Sequence, residues 1–165
     1  MSLLLAGLDD YLLSVLPPRD AVLARMEEEA ARRRIPIVGP AVGRFLAQLV
    51  RMTGARRVFE LGSAIGYSTV WLARAVGPEG RVFYTDGSGE NAVEARRNLE
   101  EAGVGDRVTV LVGDALAHLA EAEGEFDLVF NDVDKEGYPE VFRQAVPRLK
   151  AGGLLVTDNV LWDGA

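Results

Sequence analysis

The chain predicts an α/β fold in which a parallel sheet is covered by helices on both faces, with a helical part in front of it. Three observations carry this prediction. From Arg57 onward, runs rich in β-branched and aromatic residues alternate with segments of helical period, giving strands near 57–61, 81–86, 108–112, 127–132 and 153–158 and helices near 67–76, 89–102, 115–122 and 138–148. Alternation of this kind implies right-handed βαβ crossovers. The stretch Arg57-Val58-Phe59-Glu60-Leu61-Gly62-Ser63-Ala64-Ile65-Gly66-Tyr67-Ser68 reads as strand, tight turn and helix start. Finally, acidic residues recur where the strands end: Glu60, Asp86, Asp114, Asp132 with Asp134, and Asp158 with Asn159. Open α/β sheets bind ligands at that rim.

Taken in order, Leu3, Leu4, Leu5, Leu8, Leu12, Leu13 and Leu16 recur at helical spacing until Pro17-Pro18 stops them. The apolar face of this helix needs a partner, either the chain's own core or a second copy, and a homodimer is the expectation. Asp9 and Asp10 interrupt the run and no basic segment precedes it, so it does not read as a signal peptide. Asp20 caps a second helix reaching about Arg33. Arg32-Arg33-Arg34 then reads as a solvated helix end, where cations complement the helix dipole, in preference to a nucleic-acid patch. Ile35-Pro36-Ile37-Val38-Gly39-Pro40 is an irregular connector, and Val42 to Met52 is helical until Gly54. Residues 1–56 thus form a helical part and 57–165 the sheet-containing core of one domain. Within the core, Pro78-Glu79-Gly80, Gly103-Val104-Gly105-Asp106 and Lys150-Ala151-Gly152-Gly153 supply turns.

A chain of 165 residues with a net charge of −7 and no cysteine belongs among single-domain soluble proteins. The acidity weighs against broad binding to nucleic acid or an anionic membrane, and no apolar run reaches spanning length. Without cysteine there are no disulfides, thiolate metal sites or cysteine nucleophiles, which suits the cytoplasm.

Gly62 and Gly66 allow a sharp turn and close backbone approach to a ligand, with the N–H groups of the next helix facing the same space. Ser63 and Ala64 break the G-x-G-x-x-G dinucleotide pattern, so the bound nucleotide need not carry a pyrophosphate. Asp86, about 20 residues beyond the turn, is placed to accept hydrogen bonds from ribose hydroxyls, or else to cap the following helix. Asp132, Asp158 and Asn159 bring three oxygen ligands to neighbouring strand ends, a set that suits Mg²⁺, Ca²⁺ or Mn²⁺. The plain alternative is a capped loop beside a solvated strand end. Lys135, three residues after Asp132, is a candidate general base. His118, inside a helix, reads as structural, as does Trp71, while Trp162 follows the ligand pair and is placed to wall a site.

Several motifs in order resemble one family. They are Phe59-Glu60-Leu61-Gly62 with Gly66-Tyr67-Ser68, the Asp86 strand end, Gly113-Asp114-Ala115, Asn131-Asp132-Val133-Asp134-Lys135 with Tyr138, and Leu155-Val156-Thr157-Asp158-Asn159-Val160-Leu161-Trp162. From about Ile35 onward the chain is similar to the cation-dependent, S-adenosylmethionine-dependent O-methyltransferases, the group of caffeoyl-CoA and catechol enzymes and their bacterial relatives. The resemblance implies a Rossmann-like class I methyltransferase fold. It implies that Glu60, Gly62 and Ser68 hold the methionine portion of S-adenosylmethionine with Val38 as a backbone contact, that Asp86 binds the ribose, and that Ala115 meets the adenine. Asp132 counts with both the cofactor-binding and the catalytic residues. Asp132, Asp158 and Asn159 match the metal ligands, for Mg²⁺ first, and Lys135 matches the base. The implied reaction is methyl transfer to a small phenolic or vicinal-diol substrate, releasing S-adenosylhomocysteine.

Two departures stand out. Gly87-Ser88-Gly89 replaces a more acidic continuation after the second strand. The family continues beyond the position of Ala165 into a further helix and two strands, so the resemblance leads us to expect a truncated version of a longer chain. The alternatives are a hydroxylated tRNA base as acceptor and a non-catalytic binding or dimerisation module. A dinucleotide oxidoreductase lacks its third glycine.

Overall fold

The computed structural model describes residues 7–160. Three helices come first: α1 (Leu8–Val15), α2 (Ala21–Arg33) and α3 (Gly39–Thr53). The rest alternates as β1 (Arg57–Leu61), α4 (Tyr67–Val76), β2 (Arg81–Asp86), α5 (Gly89–Glu101), β3 (Val108–Val112), α6 (Ala115–Glu121), β4 (Phe126–Asn131), α7 (Tyr138–Ala145) and β5 (Leu149–Thr157). The strands make one sheet in the order β3-β2-β1-β4-β5, and every pairing is parallel. The chain runs outward from β1 through β2 to β3, then returns to lay β4 on the opposite flank of β1. Strand order therefore reverses between β1 and β4, which opens a crevice at their carboxyl ends.

Because successive strand residues point to opposite faces, the apolar runs feed two cores at once. Val58, Val82, Leu128 and Phe130 pack with Leu23 and Met26 of α2, Leu46 and Val50 of α3 and Leu72 of α4. Phe59, Leu61 and Val129 pack on the other side with Leu119 of α6 and with Val141 and Ala145 of α7. Phe59 and Phe126 meet edge to face at 5.1 Å, and the Arg57 guanidinium lies 4.6 Å from the Phe83 ring. On the first face α3 and α4 are in close contact: a Cβ on Gly43 would come within 2.4 Å of the Trp71 indole.

Asp20 caps α2 as expected, accepting from the backbone N–H groups of Val22 and Leu23 at 3.0 and 3.2 Å. Elsewhere the elements differ from the sequence-based expectation in instructive ways. Helix α3 starts at Gly39, ahead of Val42, because Pro40 falls in its first turn, where a missing N–H costs nothing. The residues Lys150–Gly153 do not precede the last strand but lie inside it. Leu149 pairs with Phe126 and Leu154 with Leu128, so the intervening residues form a bulge, with Gly152 at φ 83°. The last turn expected of α7 is a 3₁₀ turn over Val146–Arg148. Leu3, Leu4 and Leu5 of the N-terminal leucine pattern, and Trp162, lie outside the described residues.

The arginines act as fasteners. Arg33 pairs with Glu94 at 2.7 Å, Arg44 donates to the Pro17 carbonyl at 2.6 Å, and Arg56 donates to the Val76 carbonyl at 3.1 Å. Tyr11 and Val15 of α1 and Phe45 of α3 are more than half exposed. Among the described residues no helix is long and apolar enough to cross a membrane.

Candidate functional site

The site begins at Gly62, where the chain leaves β1 with φ 81°. A Cβ at this position would lie 2.5 Å from the carbonyl oxygen of Asp132. Only glycine adopts this backbone conformation at such close range. The Asp132 N–H in turn donates to the Leu61 carbonyl at 2.9 Å, so the contact that requires a glycine also sets Asp132 beside the turn.

Asp86 ties the turn to the next helix. Its Oδ2 accepts from the Ala64 N–H at 2.9 Å, and its Oδ1 accepts from the Ser88 N–H at 2.8 Å and from Asn91 Nδ2 at 3.0 Å. It does not cap α5; Ser88 Oγ does, accepting from the Asn91 N–H at 3.2 Å. Since a carboxylate oxygen takes more than one donor, Oδ2 retains capacity for a ribose hydroxyl. Tyr84 steadies the same loop by donating to the Ala64 carbonyl at 2.6 Å.

Glu60 is fully buried beneath this turn. The Thr69 hydroxyl donates to its Oε2 at 2.5 Å, while Oε1 has no hydrogen-bond partner. Burial pushes the carboxyl up, the Ser68, Thr69 and Ser63 hydroxyls act against that, and the Asp86 charge adds to it. A buried, half-satisfied carboxyl fits a ligand that brings a positively charged donor, such as the amino group of S-adenosylmethionine.

Beyond Asp132 the chain turns through Asp134 and Lys135 into α7, and across from it β5 ends in Asp158 and Asn159. Burial pushes the Asp132 carboxyl up to about 7, helped by the negative charges of Asp158 and Glu60 and opposed by Lys135. Tyr138 donates its hydroxyl to the Asp158 carbonyl at 2.7 Å, and Asn159, at φ 52°, donates Nδ2 to Asp158 Oδ2 at 2.9 Å. Among the described residues no trio of Asp, Glu, His or Cys converges on a metal position. The oxygen donors there are instead two carboxylates and an amide, all hard donors, and the Asp132 carboxyl, pushed up by burial and by the neighbouring Asp158, would be relieved by a divalent cation.

The glycine turn, Asp86 and the two acidic strand ends share one cleft of about 500 Å³. Gly62, Ala64, Asp86 and Asn91 line one part, Asp132 to Lys135 with Asp158 and Asn159 another, and Ile35, Pro36 and Ile37 form an apolar wall. Glu60 and Ser68 are buried beneath the turn and do not line the cleft, with Ser68 acting on the Glu60 carboxyl. Val38 and Ala115 are not lining residues; Val38 packs on the core beneath α3 and Ala115 opens α6 against the opposite core. His118 Nε2 lies 3.1 Å from the Val112 carbonyl, which fits a structural role. Ala64 and Asn91 were not singled out as site residues by the sequence. Asn91 carried one signal, a polar residue in the first turn after the Asp86 loop, whereas Ala64, at φ 43°, carried none.

The family model described as O-methyltransferase matches residues 15–165. A catechol O-methyltransferase from Mycobacterium tuberculosis is 41% identical over 159 residues, covering 94% of this chain and 72% of the relative. A caffeoyl-CoA O-methyltransferase from Petroselinum crispum is 31% identical over 169 residues, covering 96% and 70%. The crystal structure of the O-methyltransferase TomG from Streptomyces achromogenes, in complex with SAM, aligns with a TM-score of 0.88 at 35% identity, covering 96% of this chain and 74% of that one.

Proposed function

The chain belongs to the O-methyltransferase family, and from that premise we propose that it moves the methyl group of S-adenosylmethionine onto one hydroxyl of a catechol-like or caffeoyl-type vicinal diol, with a divalent cation at the acceptor, Mg²⁺ ahead of Mn²⁺ or Ca²⁺. The observation that carries this reading is the meeting of two sets of residues in one cleft: Gly62 and Asp86 at the donor end, and Asp132, Lys135, Asp158 and Asn159 at the acceptor end.

When bound, the donor supplies an electrophilic sulfonium methyl, and a cation would lower the pKa of the acceptor hydroxyl. The chain's residues do the rest by placement. Glu60 would accept from the donor's ammonium, once the turn above it admits that group, and Asp86 Oδ2 would accept from a ribose hydroxyl. Asp132, Asp158 and the Asn159 amide oxygen would hold the cation, and Lys135, once its ammonium has given up a proton, would take the acceptor's proton. Ile35, Pro36 and Ile37, which line the cleft, would shield bound reactants from water. No covalent nucleophile is required, since alignment of the reacting atoms and electrostatics suffice for an in-line displacement. Calorimetry should detect S-adenosylhomocysteine binding, and Asp158→Ala should abolish diol methylation while sparing that binding; undiminished turnover in this variant would remove the metal from the scheme.

A small-molecule acceptor is favoured over RNA because the chain carries a net charge of −7 and Arg33, within the basic run at the end of α2, is paired with Glu94. We also propose that a second copy covers the exposed Tyr11, Val15 and Phe45, which light scattering would reveal as a doubled mass, and that the enzyme works in the cytoplasm.

A further inference from the structure

Resting on the metal reading above, we propose that Tyr138 is a positioning residue that holds the two halves of the cation site in register. Asp132 and Lys135 arrive on the loop after β4, whereas Asp158 and Asn159 lie beyond Thr157, the last residue of β5. The sheet ladder reaches this second pair through one backbone bond, from the Asp158 N–H to the Asn131 carbonyl at 3.0 Å. The pair is otherwise held inward on itself by the Asn159 to Asp158 side-chain bond. Asn159 also sits in the left-handed region at φ 52°, a conformation that asparagine tolerates but that needs support from its surroundings.

Tyr138 supplies that support from the opposite loop. It is the first residue of α7, directly after the 3₁₀ turn Lys135–Gly137, and its hydroxyl donates to the Asp158 carbonyl at 2.7 Å across 20 residues of chain. Its ring centroid lies 6.0 Å from Lys135 Nζ, so one side chain touches both the proposed base and the backbone of a proposed ligand. Residues that orient ligands from behind change metal affinity without contacting the ion. Here the hydroxyl would fix where the Asp158 and Asn159 side chains start from, and the ring would fix the course of the Lys135 turn.

The test is titration of Mn²⁺, followed by electron paramagnetic resonance of the free ion, on the wild-type protein, Tyr138→Phe and Asp158→Ala, with S-adenosylhomocysteine calorimetry on each. Tyr138→Phe should weaken Mn²⁺ binding about tenfold while leaving S-adenosylhomocysteine affinity unchanged. Equal Mn²⁺ affinity in wild type and Tyr138→Phe, with Asp158→Ala impaired, overturns the positioning role alone. A parallel loss of S-adenosylhomocysteine affinity in Tyr138→Phe also overturns it, since that marks general loosening. Mn²⁺ binding that is absent from the wild type, or indifferent to Asp158→Ala, overturns the metal reading and this inference with it.

Discussion

At Gly62, a hydrogen in place of a methyl group lets the end of β1 and the end of β4 share one site. Gly62→Ala combines a left-handed backbone with a Cβ 2.5 Å from a backbone oxygen that cannot swing away. It should cost about 1–3 kcal/mol in urea denaturation and reduce S-adenosylhomocysteine affinity in calorimetry. Thr69 is the second sensitive position: Thr69→Val leaves Glu60 Oε2 without its hydroxyl donor in a fully buried place. The expected loss is about 1–3 kcal/mol by the same denaturation measurement. At this scale the sequence was informative where a residue type is nearly obligatory. Gly62, Asp86 and Asp132 could be picked out because turns need glycine and strand-end ligands need oxygen. Ala64 and Thr69 could not, since their roles depend on which groups the fold brings to them.

Among the elements, β5 shows how one glycine pattern serves two structures. Lys150-Ala151-Gly152-Gly153 suits a turn, but here the strand begins before it and continues after it, with the glycines absorbed in a bulge. Asp127 steadies the base of the sheet beside this bulge. It accepts from the Arg56 and Arg57 N–H groups at 2.9 and 2.8 Å and pairs with Lys150 at 2.6 Å. Burial alone would raise its carboxyl, but the Lys150 ammonium and the two N–H donors more than offset this and hold it below the usual range. A lowered folded-state pKa contributes stability above the unfolded-state pKa of about 4 and loses it as pH falls through the folded value. Asp127→Asn should therefore destabilise by about 1–3 kcal/mol at pH 7 and flatten the acid limb of a stability-versus-pH curve. On the other side of the sheet, Gly43→Ala would press a methyl into the Trp71 indole and cost about 1–3 kcal/mol in the same denaturation experiment. The α3–α4 contact was invisible in the sequence, where Gly43 looks like an ordinary weak point in a helix.

For the whole molecule, the cleft draws on segments from Ile35 to Asn159, so a ligand filling it links the helical front part to both halves of the sheet. Saturating S-adenosylhomocysteine at about a hundred times its dissociation constant should raise the melting temperature by about 5–10 °C in a thermal scan. No shift would mean that the donor end of the cleft is not a binding site. The chain spans 72% of the length of the M. tuberculosis relative and 70% of the P. crispum one. By itself the sequence determined the alternation of strands and helices, the parallel sheet, the glycine turn and the acidic strand ends. These follow from periodicity and residue chemistry acting within a few residues of each other. Only the tertiary structure decided that β4 returns to the flank of β1, that Asp132 closes over Gly62, and that Tyr138 reaches Asp158. Those contacts join residues far apart in the chain, and it is the packing of both sheet faces that brings them together.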